Sequence, residues 1–178
     1  MSRTALVVID MINPYDHADA DQLVESVREV VPRVADLIER ADAEDVPVIY
    51  INDNFGSWRS NRDELVESAL RGRHPELVEP IKPDRESLFV VKARHSIFFQ
   101  TPLEYLLSQE GIDRLVLVGQ ATEQCVLYSA LDAHIRHLHV CVPRDAVAHI
   151  HADLAEAALR MMELNMDADV CTAEKVAF

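Results

Sequence analysis

The chain is punctuated by short, almost wholly apolar runs. Thr4-Ala5-Leu6-Val7-Val8-Ile9 is the first, and Leu115-Val116-Leu117-Val118 is the most uniform. Runs of this kind, without alternation, predict strands buried on both faces of a sheet. Four more read the same way, over residues 46–51, 88–91, 138–142 and 168–172. Between them apolar residues recur at helical spacing. Leu23, Val27, Val30, Val34, Leu37, Ile38 and Ala41 predict a helix over about 20–43, which Pro32 should kink or restart. Ser60, with Asp63 three residues on, predicts a capped helix that reaches about Leu70 and stops at Gly72. Thr101-Pro102-Leu103-Glu104 predicts a second boxed start, for a helix ending near Gly111. A helix opening at Thr122 or Glu123 and running to about His137 follows, then one over 151–164 with Leu154, Ala158, Met161 and Met162 on one side. Residues 52–57 read as a loop. Residues 74–85, with three prolines and scattered charge, read as a surface connection.

Strands that alternate with helices, joined by connections long enough for crossovers, predict a three-layer α/β/α sandwich. Its centre is a Rossmann-like, six-stranded parallel sheet, and residues 1–178 form a single domain. Open α/β sheets put ligand groups beyond the carboxyl ends of their strands, so Asp10, Lys92 and Cys125 fall on one edge.

Composition narrows the function classes. The 49% of hydrophobic residues is ordinary for a folded domain and argues against disorder. A formal net charge of −14 argues against nucleic acid or an anionic membrane surface as partner. No apolar run approaches the ~18 residues of a membrane span. The first strand begins within four residues of the start, so no signal peptide is expected. The three cysteines, at 125, 141 and 171, are far apart, which suits reduced thiols and a cytoplasmic setting.

The chemistry centres on residues 115–130. An apolar strand stops at Gly119, and a helix follows with Cys125 in its first turn. Backbone N–H groups and the positive end of a helix dipole meet there, which favours a thiolate. A cysteine that only fills space at a strand–helix junction would fit the same local pattern. Asp10, Lys92 and Cys125 together make a working set. A thiolate attacks a carbonyl carbon, the ammonium holds neighbouring negative charge, and the carboxylate shuttles the thiol proton to a leaving amine. Backbone N–H groups of the Gly119–Cys125 turn can hold the developing oxyanion.

Three stretches carry a family resemblance: ALVVIDMIN at 5–13, VVKARHSIFFQTPL at 90–103 and VLVGQATEQCV at 116–126. On these the chain resembles the isochorismatase-like cysteine hydrolases along nearly its full length. The resemblance implies a catalytic triad of Asp10, Lys92 and Cys125. It also implies a cis peptide at Gln120–Ala121 and an oxyanion hole made by the backbone N–H groups of Ala121 and Cys125. It implies a small-molecule substrate and a homo-oligomer, dimer or larger. The activity it points to is hydrolysis of an amide-like C–N bond through a thioester. Isochorismate-type vinyl-ether hydrolysis, which needs an acid rather than a nucleophile, and a non-catalytic binding or assembly subunit are the alternatives.

Two departures from the family matter. Metal-using relatives keep paired histidines after the second strand. After its second strand this chain has Asp53-Asn54-Phe55-Gly56-Ser57-Trp58-Arg59 and no histidine from there until His74, so no catalytic metal and no cofactor are expected. Ile12 stands where the family often has glutamine, which alters the pocket floor. Asn13, Phe55, Trp58, Arg59, Phe98, Phe99 and Gln120 are the candidate substrate-pocket residues. Cys141 and Cys171, inside strands, read as core. The histidines at 134, 137, 139, 149 and 151 read as solvated groups near helix ends.

Overall fold

The structure, a computed structural model, describes residues 3–178. Six parallel strands form one sheet: β1 (Thr4–Ile9), β2 (Val48–Asp53), β3 (Leu88–Lys92), β4 (Arg114–Gly119), β5 (His139–Pro143) and β6 (Asp169–Cys171). Their order is β3-β2-β1-β4-β5-β6, so β1 lies in the interior and the order of winding across the sheet reverses between β1 and β4. Leu6 and Val8 of β1 point into one core, with Val116 and Val118 of β4. Ala5, Val7 and Ile9 point into the other, with Leu115 and Leu117. Both faces are covered, and that is why these strands read as unbroken apolar runs.

The first core is closed by α1 (Ala20–Ala43), α2 (Arg62–Leu70) and α3 (Pro75–Val78). The second is closed by α4 (Leu103–Glu110), α5 (Leu127–Ile135) and α6 (Ala152–Met166). These are the three layers expected. Among the described residues no helix is long and apolar enough to cross a membrane.

Several local expectations are corrected. α1 runs through Pro32 without a restart; Val30, Val31 and Val34 on either side are buried and hold the helix against the sheet. β2 begins two residues later than its apolar run and extends to Asp53, because Asn52 and Asp53 find polar partners at the sheet edge. Asn61, not Ser60, caps α2, its side chain accepting from Glu64 N at 3.1 Å. Ser60 Oγ instead donates to Asn54 O. The box at Thr101 does not close: Thr101 Oγ1 donates to Ile97 O, and Glu104 pairs with Arg136. Residues 74–85 are not merely surface, since Leu77, Val78 and Ile81 are buried. On α6 the buried face is Ala155, Ala158, Leu159, Met162 and Met166, while Leu154 and Met161 face outward. Two apolar stripes compete on that helix, and the one built on small alanines packs closer.

Candidate active site

Asp10 follows β1 directly, at φ 55°, a left-handed conformation that costs a non-glycine residue on the order of 1–3 kcal/mol. Its backbone is tied on both sides. Asp10 N donates to Ile51 O at 2.9 Å, and the Gln120 side-chain amide donates to Asp10 O at 2.7 Å. The carboxylate is thereby turned across the ends of β2 and β3. Its Oδ1 accepts from Asp53 N at 2.7 Å, and its Oδ2 lies 2.9 Å from Lys92 Nζ. Lys92 is 1% exposed, and such burial of an ammonium demands close negative partners. It has two, for Asp53 Oδ2 is 3.5 Å away. Lys92 Nζ also lies 3.5 Å from Cys125 Sγ.

Cys125 reaches this point from β4. Gly119 has φ 115°, and a Cβ there would run into the Ile9 carbonyl oxygen of the neighbouring strand. The Gln120–Ala121 peptide bond is cis. A single π-helical turn, Thr122–Val126, then precedes α5 and carries Cys125. Thr122 anchors the turn by donating from N and from Oγ1 to Ala148 O, both at 2.8 Å. Beneath, the Tyr15 hydroxyl donates to Gln120 Oε1 at 3.4 Å.

Burial pushes the Cys125 thiol up, Asp10 beside it pushes the same way, and Lys92 only partly offsets them. The expectation of a favoured thiolate is therefore corrected: two carboxylates share one ammonium here, and a thiolate would add a third negative charge. Burial also raises Asp10 despite Lys92. For Lys92 burial pulls downward, but Asp10, Cys125 and Asp53 together carry it above its ordinary value. Asp10 and Lys92 thus pair at 2.9 Å, and the Cys125 sulfur lies within hydrogen-bonding reach of both.

A cleft of about 830 Å³ opens above, lined by Asp53, Phe55, Trp58, Lys92, His95 and Phe99 among others. Of the candidate pocket residues, Phe55, Trp58 and Phe99 face it. Asn13 does not, because its side chain accepts from Tyr15 N at 2.7 Å and shapes the turn after β1. Phe98 is buried under Arg136, whose guanidinium lies 4.7 Å from the ring centre. Gln120 lies below the cleft and Arg59 is exposed outside its lining. Two contributors escaped the sequence reading. Asp53 closes β2 two residues beyond the apolar run that marks this strand in the sequence. His95, its Nδ1 3.7 Å from Cys125 Sγ, sits in an irregular loop with no periodic signal.

The description "Isochorismatase domain" belongs to a family model that matches residues 4–175. The isochorismatase family protein YaaI of Bacillus subtilis is 31% identical over 172 residues, covering 97% of this chain and 95% of that protein. Ureidoacrylate amidohydrolase RutB of Agrobacterium fabrum is 28% identical over 187 residues, covering 88% of this chain and 81% of that enzyme. Among solved structures, the nicotinamidase SaPncA of Staphylococcus aureus superposes with a TM-score of 0.75 at 26% identity, covering 96% and 98% of the two chains.

Proposed function

Because the chain belongs to the isochorismatase family, we propose that it is a cysteine hydrolase cleaving the C–N bond of a small amide-like substrate through a thioester. The observation that carries this reading is the Asp10–Lys92–Cys125 contact set, which meets the cleft through Lys92. Relatives named for amide and ureido hydrolysis support it.

Cys125 Sγ attacks the substrate carbonyl carbon as Asp10 takes the thiol proton. A base whose own proton affinity is raised by burial suits that task. The carbonyl electrons move to oxygen, and the N–H groups of Ala121 and Cys125 hold the oxyanion. The carbonyl re-forms, the C–N bond breaks, and Asp10 hands its proton to the leaving nitrogen. Water, deprotonated by Asp10, then opens the thioester and restores the thiol. Lys92 keeps Asp10 ionised until it is needed. The reaction runs without a metal: Asp53, the one carboxylate of its loop, already accepts from Phe55 N through Oδ1 and faces Lys92 through Oδ2.

A panel of small amides, ureides and isochorismate, read for ammonia or pyruvate release, tests this. Ammonia is expected, with no turnover in Cys125→Ala and a loss of about 10²-fold or more in Asp10→Asn, the range of general acid–base effects. Full activity in Cys125→Ala with pyruvate as product would establish vinyl-ether hydrolysis instead. No turnover anywhere in the panel would favour the non-catalytic reading. Dialysis against a chelator should leave activity intact.

The homo-oligomer belongs to the same reading. Trp58 is 87% exposed at the rim of the cleft, and Tyr128, Leu131 and Ile135 form an exposed apolar stripe along α5. Surfaces of this kind are covered by a partner in oligomers. Light scattering at micromolar concentration should give at least twice 20.1 kDa, and a mass of one chain would refute it.

A further inference from the structure

The two remaining cysteines pack into the first core, as expected, and there they meet each other. Cys141 lies on β5 and Cys171 on β6, with their sulfurs 3.6 Å apart. Asp169 is the register partner of Cys141, and Cys171 follows it two residues on, so all three side chains share one face of the sheet. One ligand atom from each lies within 4.8 Å of the others, and among the described residues this is the only such cluster of three. We infer that Cys141, Cys171 and Asp169 form a binding site for a thiophilic divalent cation such as Zn²⁺, on the outer β5–β6 pair of the sheet and separate from the catalytic cleft.

Zn–S bonds of about 2.3 Å at the tetrahedral angle put two thiolates about 3.8 Å apart, close to the spacing found. A disulfide needs about 2.05 Å and the loss of two electrons to an oxidant. Two neutral thiols can rest at 3.6 Å unaided, but a carboxylate on the same face completes a set of three ligands, and a nearby cation favours the thiolates. That cation is Arg114, which pulls both thiols down against the larger upward push of burial. Binding deprotonates both thiols, releases two protons and moves no electrons. Two thiolates, one carboxylate and one divalent cation leave a single negative charge, which Arg114 offsets. β6 is an edge strand with Asp169 exposed, so ion and water reach the fourth position from solvent.

Reduced, chelator-stripped protein titrated with Cd²⁺, and with Zn²⁺ in competition, tests the site. One equivalent should bind, with the charge-transfer absorbance of two thiolates and release of two protons. Cys125→Ser should retain all of this, which excludes the catalytic thiol as ligand. Cys171→Ser, at the half-buried position, should lose the absorbance with an unchanged circular dichroism spectrum, and Asp169→Asn should bind more weakly. No stoichiometric uptake, or uptake that survives Cys171→Ser, would overturn the inference. So would a pair that takes up no metal when reduced but cross-links under hydrogen peroxide, since that is a redox couple.

Discussion

Asp10 is asked to do two opposed things. It stabilises the buried Lys92 ammonium at 2.9 Å, and it makes the adjacent thiol harder to ionise. The two roles separate on substitution. Asp10→Asn removes the negative charge beside Cys125 while Lys92 stays, so the thiol should ionise more easily. Cys125 is then expected to react faster with iodoacetamide at pH 7 than in the wild type, even as turnover falls about 10²-fold or more. Mass-spectrometric labelling of each cysteine alongside activity checks this. Slower labelling in Asp10→Asn would mean that the carboxylate promotes ionisation at rest. Removing Lys92 alone leaves Asp10 buried and uncompensated, and Lys92→Met should destabilise by about 3–5 kcal/mol in urea unfolding. Adding Asp10→Asn to it should recover part of that loss, and a double mutant no more stable than Lys92→Met would contradict the pairing.

At the scale of elements, the β4–π-turn–α5 junction is the most constrained part of the chain. Gly119 combines φ 115° with close approach to the Ile9 backbone, whereas Gly56, at φ 78°, has open space where a Cβ would go. Gly119→Ala should therefore cost on the order of 2 kcal/mol or more beyond Gly56→Ala, a melting-temperature gap of at least roughly 4 °C by calorimetry. Equal losses would show that only the backbone angle matters. The same contrast explains what was legible in the sequence. β1 and β4 stood out because both faces are buried, and Asp10 and Lys92 because they close apolar strands. Asp53 was hidden because β2 ends in Asn52 and Asp53. Asn52 is polar yet buried, its amide donating to Ile12 O and accepting from Ile12 N, both at 3.0 Å. Cap and face assignments failed where tertiary partners won, as at Thr101, Ser60 and α6. The meeting of Cys141 with Cys171 needed the β5–β6 register, which a separation of thirty positions along the chain conceals.

For the whole molecule, the buried thiols set a pH limit. Cys125 and Cys141 are both raised by burial, so the fold keeps protons that the unfolded chain releases. Stability from this source is complete below the ordinary thiol range and is lost as pH climbs through it. The limiting slope is about 1.4 kcal/mol per pH unit for each thiol that stays protonated. Urea midpoints should fall between about pH 9 and pH 10, and less steeply in Cys125→Ser; a flat profile would mean that both thiols ionise in place. The sheet order carries a consequence for biosynthesis. β1 pairs with β4 from Thr4↔Arg114 to Ile9↔Gly119. At about 5–20 residues per second the ribosome needs roughly 5–20 s to travel from one strand to the other. Until β4 emerges, the apolar β1, even once β2 has paired with its other side, presents an open hydrogen-bonding edge to the crowded nascent-chain environment. Stalled chains ending before Arg114 should be captured by holdase chaperones, and chains extended well past Gly119 should be released, a difference that ribosome-bound truncations of graded length would resolve.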